Sequence, residues 1–259
     1  MYMPKTDEER GFLAKYDPGK YEKPSVTADI VVFTLDARNS LSVLLIKRGG
    51  YPYKDCWAIP GGFVEMDESV DTAAARELKE ETGLEGLPIT QIGTFGEVDR
   101  DPRMRVISVA YMAFVPKDTL LIQAGDDAGD AQLFEITHDE DGLVLVGERN
   151  VIKESELAFD HAQILRIAMK RLRNRIDYTL DAFRFLKNER SFTIYELKKI
   201  HEAVKGETED TGNFRRDFLK KYVSTGLVED TGKKSQGTGS RAASLYSVTH
   251  PESFGKSEL

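Results

Sequence analysis

Glu77, Glu80 and Glu81 have the spacing of one helical face. Residues three and four apart in an α-helix are surface neighbours, so Glu77 meets both of the others across a single turn. Such a cluster repels itself unless a cation enters it. Carboxylate oxygens in this arrangement suit a hard divalent ion, Mg²⁺ with Mn²⁺ as the alternative, which keeps water ligands for a phosphate substrate. Arg76 stands beside the cluster and can hold one carboxylate through two parallel N–H donors. A solvated acidic helix is the plainer reading of the same composition.

The elements that would position this turn are legible around it. Gly61 and Gly62 permit backbone geometry closed to other residues and let a ligand approach closely. Ser69 or Asp67 can cap the helix, and Asp71 adds negative charge to its first turn. Ala73, Ala74, Ala75 and Leu78 supply a packing side, and Gly83 is a natural stop. Upstream, residues 26–35 and 41–47 read as a strand and its returning partner across a turn at 36–40. The loop 48–54 carries Tyr51 and Tyr53, either base-stacking residues or ordinary aromatics. Downstream, 89–98 and 105–115 read as a hairpin around a charged loop at 99–103. An acidic, flexible loop at 124–130 precedes a short strand at 131–136. Strands around at least one helix make an α/β (α+β) sandwich.

The chain of 259 residues accommodates one large domain or two modest ones. Its single cysteine, Cys56, cannot form an internal disulfide, which fits a reducing compartment. Residues 1–24 read as a loose polar lead-in broken by Pro4, Pro18 and Pro24, with no apolar core of a signal peptide. No apolar run approaches the ~20 residues of a membrane helix. The expectation is a cytoplasmic protein without a membrane partner. Charge is unevenly divided. Residues 1–154 carry 17 Lys+Arg and 29 Asp+Glu, and residues 155–259 carry 19 and 15, giving −12 and +4. An acidic half suits metals, and a mildly basic half suits nucleic acid.

The second half is patterned for helices. Apolar residues recur at helical spacing from Phe159 to Ile176, and 179–186 reads as a short helix. Thr193 and Glu196 fit a capping box for a helix that stops at Gly206. A further amphipathic helix spans 213–224, with Asn213 as its cap. Two short strands, at 227–229 and 245–248, flank a Gly-rich basic loop at 232–241. This succession resembles a winged helix-turn-helix domain, in which the second helix of the pair enters the major groove. Asn213, Arg215, Arg216, Lys220 and Lys221 would then face DNA, with Lys233, Lys234 and Arg241 on the wing. A domain used for dimerisation or protein contact fits the same pattern.

The first half resembles the Nudix family. Its signature, G-x5-E-x7-R-E-U-x-E-E-x-G-U with U aliphatic, is filled by Gly62, Glu68, Arg76, Glu77, Leu78, Glu80, Glu81, Gly83 and Leu84. The resemblance implies a Nudix domain over 25–153, between an extension at 1–24 and the winged domain at 154–259. It implies hydrolysis of a nucleoside diphosphate linked to another group. Glu77, Glu80 and Glu81 would hold Mg²⁺, Arg76 would orient them, and Glu68 would support the helix or bind a further ion. The general base would be Glu77 or a loop acid, Asp126, Asp127 or Asp130. The segment 96–115 is similar to the hairpin of Nudix proteins that handle ADP-ribose, with Arg100 and Arg103 beside Gly62 as substrate-binding residues or as a salt-bridged turn. A Nudix domain followed by a winged helix is similar to the Nudix-related transcriptional regulators of NAD metabolism and to ADP-ribose pyrophosphatases. Two readings follow. One is an Mg²⁺-dependent hydrolase of ADP-ribose or a related nucleoside diphosphate sugar. The other is a DNA-binding repressor whose Nudix domain senses such a ligand. The intact box favours retained catalysis, and reading a two-fold operator implies a homodimer.

Overall fold

The computed structural model describes residues 2–83, 85–116, 120, 128–235 and 242–250. In chain order the elements are α1 (Asp7–Lys15), β1 (Ser25–Leu35), β2 (Leu41–Arg48), β3 (Trp57–Ala58), β4 (Gly61–Phe63), α2 (Val70–Thr82), β5 (Ile89–Phe95), β6 (Val106–Phe114), β7 (Ala128–His138), β8 (Leu143–Val146), β9 (Val151–Lys153), α3 (His161–Arg175), α4 (Ile194–Lys205), α5 (Thr211–Phe218), β10 (Val228–Lys234) and β11 (Ser244–Val248).

The first nine strands form one mixed sheet in the order β5-β6-β1-β2-β7-β8-β9, with β3 added to β2 and β4 to β1. β1 runs parallel to β6 and antiparallel to β2. The apolar run of β1 is nearly continuous because both of its faces are covered. Successive side chains point to opposite faces. Ala28, Ile30 and Val32 therefore meet Ala73, Ala74 and Leu78 of α2, together with Leu44 and Tyr111. Val31, Phe33 and Leu35 enter a second cluster with Ile164, Leu165, Ala168 and Leu172 of α3.

That second cluster does not end with the sheet. A 3₁₀ turn, Asp181–Phe185, places the Phe185 ring 5.1 Å from that of Phe114 on β6. Phe183 then packs edge-on against Phe192 and Tyr222, at 5.5 and 5.0 Å. Phe218 of α5 and Tyr246 of β11 complete an aromatic group inside the C-terminal domain. There, Thr193 and Glu196 cap α4 reciprocally, and Gly206 ends it in the left-handed region at φ 76°. α5 follows, continues through one π-helical turn at Leu219–Val223, and leads into the antiparallel pair β10–β11. Phe192 and Tyr246 exchange backbone hydrogen bonds of 3.1 and 2.8 Å, which ties the entry of α4 to β11.

Several expectations are corrected. The lead-in at 1–24 contains α1, capped by the Thr6 hydroxyl accepting from the Glu9 N–H, although the helix buries nothing. The helix expected from Asn213 begins at Thr211, because the Asp210 carboxylate takes the Asn213 N–H at 2.8 Å and is the true cap. The short helix expected at 179–186 is the 3₁₀ turn. β7 extends beyond 131–136 in both directions, since it pairs with β2 along its length. Lys233 and Lys234 lie in β10 rather than in a loop. Among the described residues no helix is long and apolar enough to cross a membrane.

Candidate functional site

The acidic turn sits where α2 passes over β4. Ser69 Oγ accepts the Thr72 N–H at 3.1 Å and starts the helix, and Gly83 ends it at φ 70°. Ala73, Ala74 and Leu78 are fixed against the sheet. The opposite face then presents Arg76, Glu77 and Glu80. β4 is held to β1 by the register Thr27↔Phe63, Ala28↔Gly62 and Asp29↔Gly61. A Cβ on Gly62 would stand 2.1 Å from Glu77 Oε1. Gly62 is thus required for close approach, and what approaches is the Glu77 carboxylate.

Arg76 joins these parts. Its Nε and Nη2 donate to both oxygens of Glu68 at 3.3 and 2.8 Å, a bidentate pair. Nη1 donates to Glu77 at 2.7 Å and to Glu80 at 3.2 Å, and Nη2 also reaches the Phe63 carbonyl at 3.1 Å. Glu68 additionally accepts the Glu65 N–H, closing the loop that precedes the helix. Hydrogen bonds from Arg76 hold the Glu68 carboxyl below the ordinary carboxylate range. Glu77 differs. It is buried, and desolvation pushes its carboxyl up against the opposing pull of Arg76. Glu80 is half exposed. A buried carboxylate converging with an open one on a single point is an oxygen-only donor set that a hard divalent cation fits. The side chain of Glu81, and the loop acids Asp126 and Asp127, lie outside the described residues. Asp130 is exposed and accepts the N–H of Ala131.

Arg100 is corrected as a substrate ligand. It is buried, and it donates to both oxygens of Asp160 at 3.0 and 2.7 Å with Asp29 3.5 Å away. A buried guanidinium committed to the buried Asp29 and the half-buried Asp160 is an internal tie, which favours the salt-bridged reading of the turn. Arg103 pairs with Asp101 in the same way, at 3.1 and 2.8 Å, but stays partly exposed and lies over the Phe63 ring. Sequence reading missed Asp29, Asp160 and His161. The His161 Nδ1 accepts the Ile59 N–H at 2.9 Å, immediately before β4, and burial lowers the imidazole's pKa. Phe159 adopts φ 54°, with Arg48 over its ring at 4.8 Å and Tyr53 at 4.7 Å. Tyr51 is exposed. Residues 159–161 therefore lock the start of α3 to the loop after β2, to the approach to β4, and to the β5–β6 turn.

In the C-terminal domain α5 turns Phe214 and Phe218 inward and leaves Asn213, Arg215 and Arg216 exposed, as is Lys220 in the π-helical turn that follows. Arg216 donates to Asn213 at 3.0 Å and to Asp217 at 3.2 Å. Lys233 and Lys234 are exposed on β10, where Lys234 Nζ donates to Ser244. Lys221 is half buried beside Tyr222, which removes it from the exposed basic set. Arg241 lies outside the described residues.

Comparison with known proteins agrees with both ends. Residues 23–146 match the NUDIX domain, and residues 182–248 match the NrtR DNA-binding winged helix domain. The chain is 34% identical to the ADPR responsive transcriptional repressor NtrR of Acinetobacter baylyi, over 92% of this chain and 87% of that one. It is 38% identical to the ADP-ribose pyrophosphatase of Methanocaldococcus jannaschii, over 61% and 82% respectively. The crystal structure of Shewanella oneidensis NrtR complexed with a 27mer DNA superposes with a TM-score of 0.68 at 28% identity, covering 89% of this chain and 95% of that one.

The internal role of Arg100 has a direct test. Arg100→Ala leaves Asp160 and Asp29 without their buried cation and should lower the unfolding free energy by about 3–5 kcal/mol. Urea denaturation checks this, and a loss below about 1 kcal/mol would show that Arg100 is not structural.

Proposed function

Because the chain belongs to the Nudix family and joins that domain to an NrtR-type winged helix, we propose that it is a DNA-binding transcriptional regulator responsive to ADP-ribose or a related nucleoside diphosphate sugar. In this reading the same pocket retains Mg²⁺-dependent hydrolysis of that ligand. One observation carries it: Arg76 gathers Glu68, Glu77 and Glu80 in one chain with an exposed basic helix and wing. Similarity to the Acinetobacter repressor over nearly the whole chain supports regulation. Similarity to the archaeal pyrophosphatase over the Nudix half supports hydrolysis.

In the hydrolytic step a water oxygen forms a bond to one phosphorus of the pyrophosphate, the bond between that same phosphorus and the bridging oxygen breaks, and the bridging oxygen leaves with the other phosphate. From ADP-ribose the products are AMP and ribose 5-phosphate. Glu77, Glu80 and Glu81 would hold Mg²⁺, or Mn²⁺ in its place. When bound, the ion polarises the phosphorus centre, activates water and stabilises the leaving group. The chain's own contribution is positional. Arg76 fixes the carboxylates against their mutual repulsion, and Gly62 makes room for Glu77. The water's proton passes to Glu77 or to a loop acid such as Asp127. The winged domain binds duplex DNA with Arg215 and Arg216 of α5, with Lys220 of the π-helical turn that continues it, and with Lys233, Lys234 and Arg241 of the wing. A two-fold operator calls for two copies of the chain.

Two measurements separate the activities. The purified protein with Mg²⁺ should release AMP from ADP-ribose, and Glu80→Gln should cut turnover by about 100-fold or more, comparable to losing one preorganised electrostatic group. Unchanged turnover in that variant removes Glu80 from the site. For DNA, Arg215→Ala should reduce the slope of log K against log salt by about 1 if Arg215 neutralises one phosphate. An unaltered slope places Arg215 off the backbone.

A further inference from the structure

A second cluster of titratable groups lies in the C-terminal domain, far in sequence from the acidic turn of α2. Asp177 follows α3, His201 and Lys205 lie on α4, and Glu209 stands in the turn just before the Asp210 cap of α5. They share a cavity of about 440 Å³ walled in part by Phe214 and Tyr222. One ligand atom each from Asp177, His201 and Glu209 lies within 4.8 Å of the others.

His201 is the unusual member. It is 3% exposed, and both of its ring nitrogens are buried without a hydrogen-bond partner among the described residues. A buried polar group in that condition costs free energy and calls for an explanation. Its Nδ1 lies 3.4 Å from Asp177 Oδ1, and the Phe214 ring, 5.1 Å away and edge-on, fixes the imidazole plane. Burial pushes His201 down to about 4, so at neutral pH the ring is uncharged and has a lone pair to give. Glu209 is also held. Its N–H donates to Glu202 at 3.0 Å, and Glu202 is fixed in turn by Lys198 and Lys199, each at 2.7 Å. Between the two acids sits the Lys205 ammonium, 2.8 Å from Asp177 and 2.7 Å from Glu209. The ammonium pairs with both carboxylates but offsets only one of their two charges, and it leaves the imidazole unsatisfied. A divalent cation with affinity for nitrogen as well as oxygen satisfies all three groups.

We propose that Asp177, His201 and Glu209 form a binding site for a divalent transition-metal cation of the zinc class, taken up in place of the Lys205 ammonium. One imidazole nitrogen and two carboxylates, with a water completing four-fold coordination, uses ligand types that Zn²⁺ takes, and the imidazole makes the set less suited to Mg²⁺. The oxygen-only carboxylates of α2 have the opposite preference, so one chain would hold two chemically distinct metal sites. The ion would tie the end of α3, the body of α4 and the turn entering α5, and so would set how α5 departs from α4.

The test uses the full-length chain in a large excess of Mg²⁺, which saturates the α2 carboxylates, with Zn²⁺ added by calorimetric titration. Wild type should bind one Zn²⁺ per chain, and His201→Gln should weaken this by at least about 10-fold. Lys205→Met removes the competing ammonium and should tighten binding by roughly 10-fold or more. That gain cannot arise from misfolding. In wild type the ¹⁵N signals of the His201 imidazole should shift on Zn²⁺ addition. No Zn²⁺ binding by wild type, or equal affinity in wild type and Lys205→Met with an unmoved His201 signal, overturns the proposal.

Discussion

The acidic turn of α2 is held together by one guanidinium that ties three carboxylates at once. Carboxylates at this spacing repel one another, and burial of Glu77 raises the cost by removing water. Arg76 offsets this by donating to Glu68, Glu77 and Glu80 at once. It also takes the Phe63 carbonyl, which attaches the helix to β4. The rest of the site follows from that arrangement. Gly62 lacks a Cβ so that Glu77 can lie against β4, and Ser69 starts the helix at the turn that aims Arg76 back toward Glu68. A guanidinium suits this role because its planar, forked donors can serve several oxygens at once, which an ammonium does less well.

The two ends of the molecule share an interior. The cluster under α3 runs through Phe114 and Phe185 into the aromatic group around Phe192, Phe218 and Tyr246. The start of α3 is tied to the Nudix sheet by Arg100–Asp160 and by His161 accepting from Ile59, two residues before β4. A contiguous packed path therefore joins β4, beneath the acidic turn, to the helices that carry the basic surface. Packed side chains of this kind are one means by which two distant sites in a protein are coupled. It also gives residues 159–161 a reason for their strained start at Phe159.

What was legible in the sequence was local. The β1–β2 and β5–β6 pairs, the Ser69 and Gly83 ends of α2 and the Thr193–Glu196 box all follow from neighbours a few residues apart. Glu77 and Glu80 were readable as neighbours because three residues span about one helical turn, whereas Glu68, eight residues before Arg76, entered only through the Nudix resemblance. What was missed depends on distance along the chain. β3 and β4 hold only two and three residues and exist through pairing with β2 and β1. Arg100 could be read either as a substrate ligand or as part of a salt-bridged turn, because its partner Asp160 lies 60 residues away. His201 carried no signal, since its unsatisfied nitrogens appear only once Asp177 and Glu209 converge on it. Two misses had local signals. Thr6 followed by Asp7, Glu8 and Glu9 announces α1, and Asp210 three residues before Asn213 is the stronger cap for α5.

In the proposed function, a ligand held at the acidic turn over β4 changes how the surface of α5 binds DNA, and that is the claim at stake. It is tested most directly by following fluorescence anisotropy of a labelled duplex, selected from random sequence by the full-length protein, while ADP-ribose is added with and without Mg²⁺. The expected result is release of DNA on adding ADP-ribose, followed, only when Mg²⁺ is present, by recovery of binding as AMP accumulates. Anisotropy that does not respond to ADP-ribose under either condition would contradict the claim.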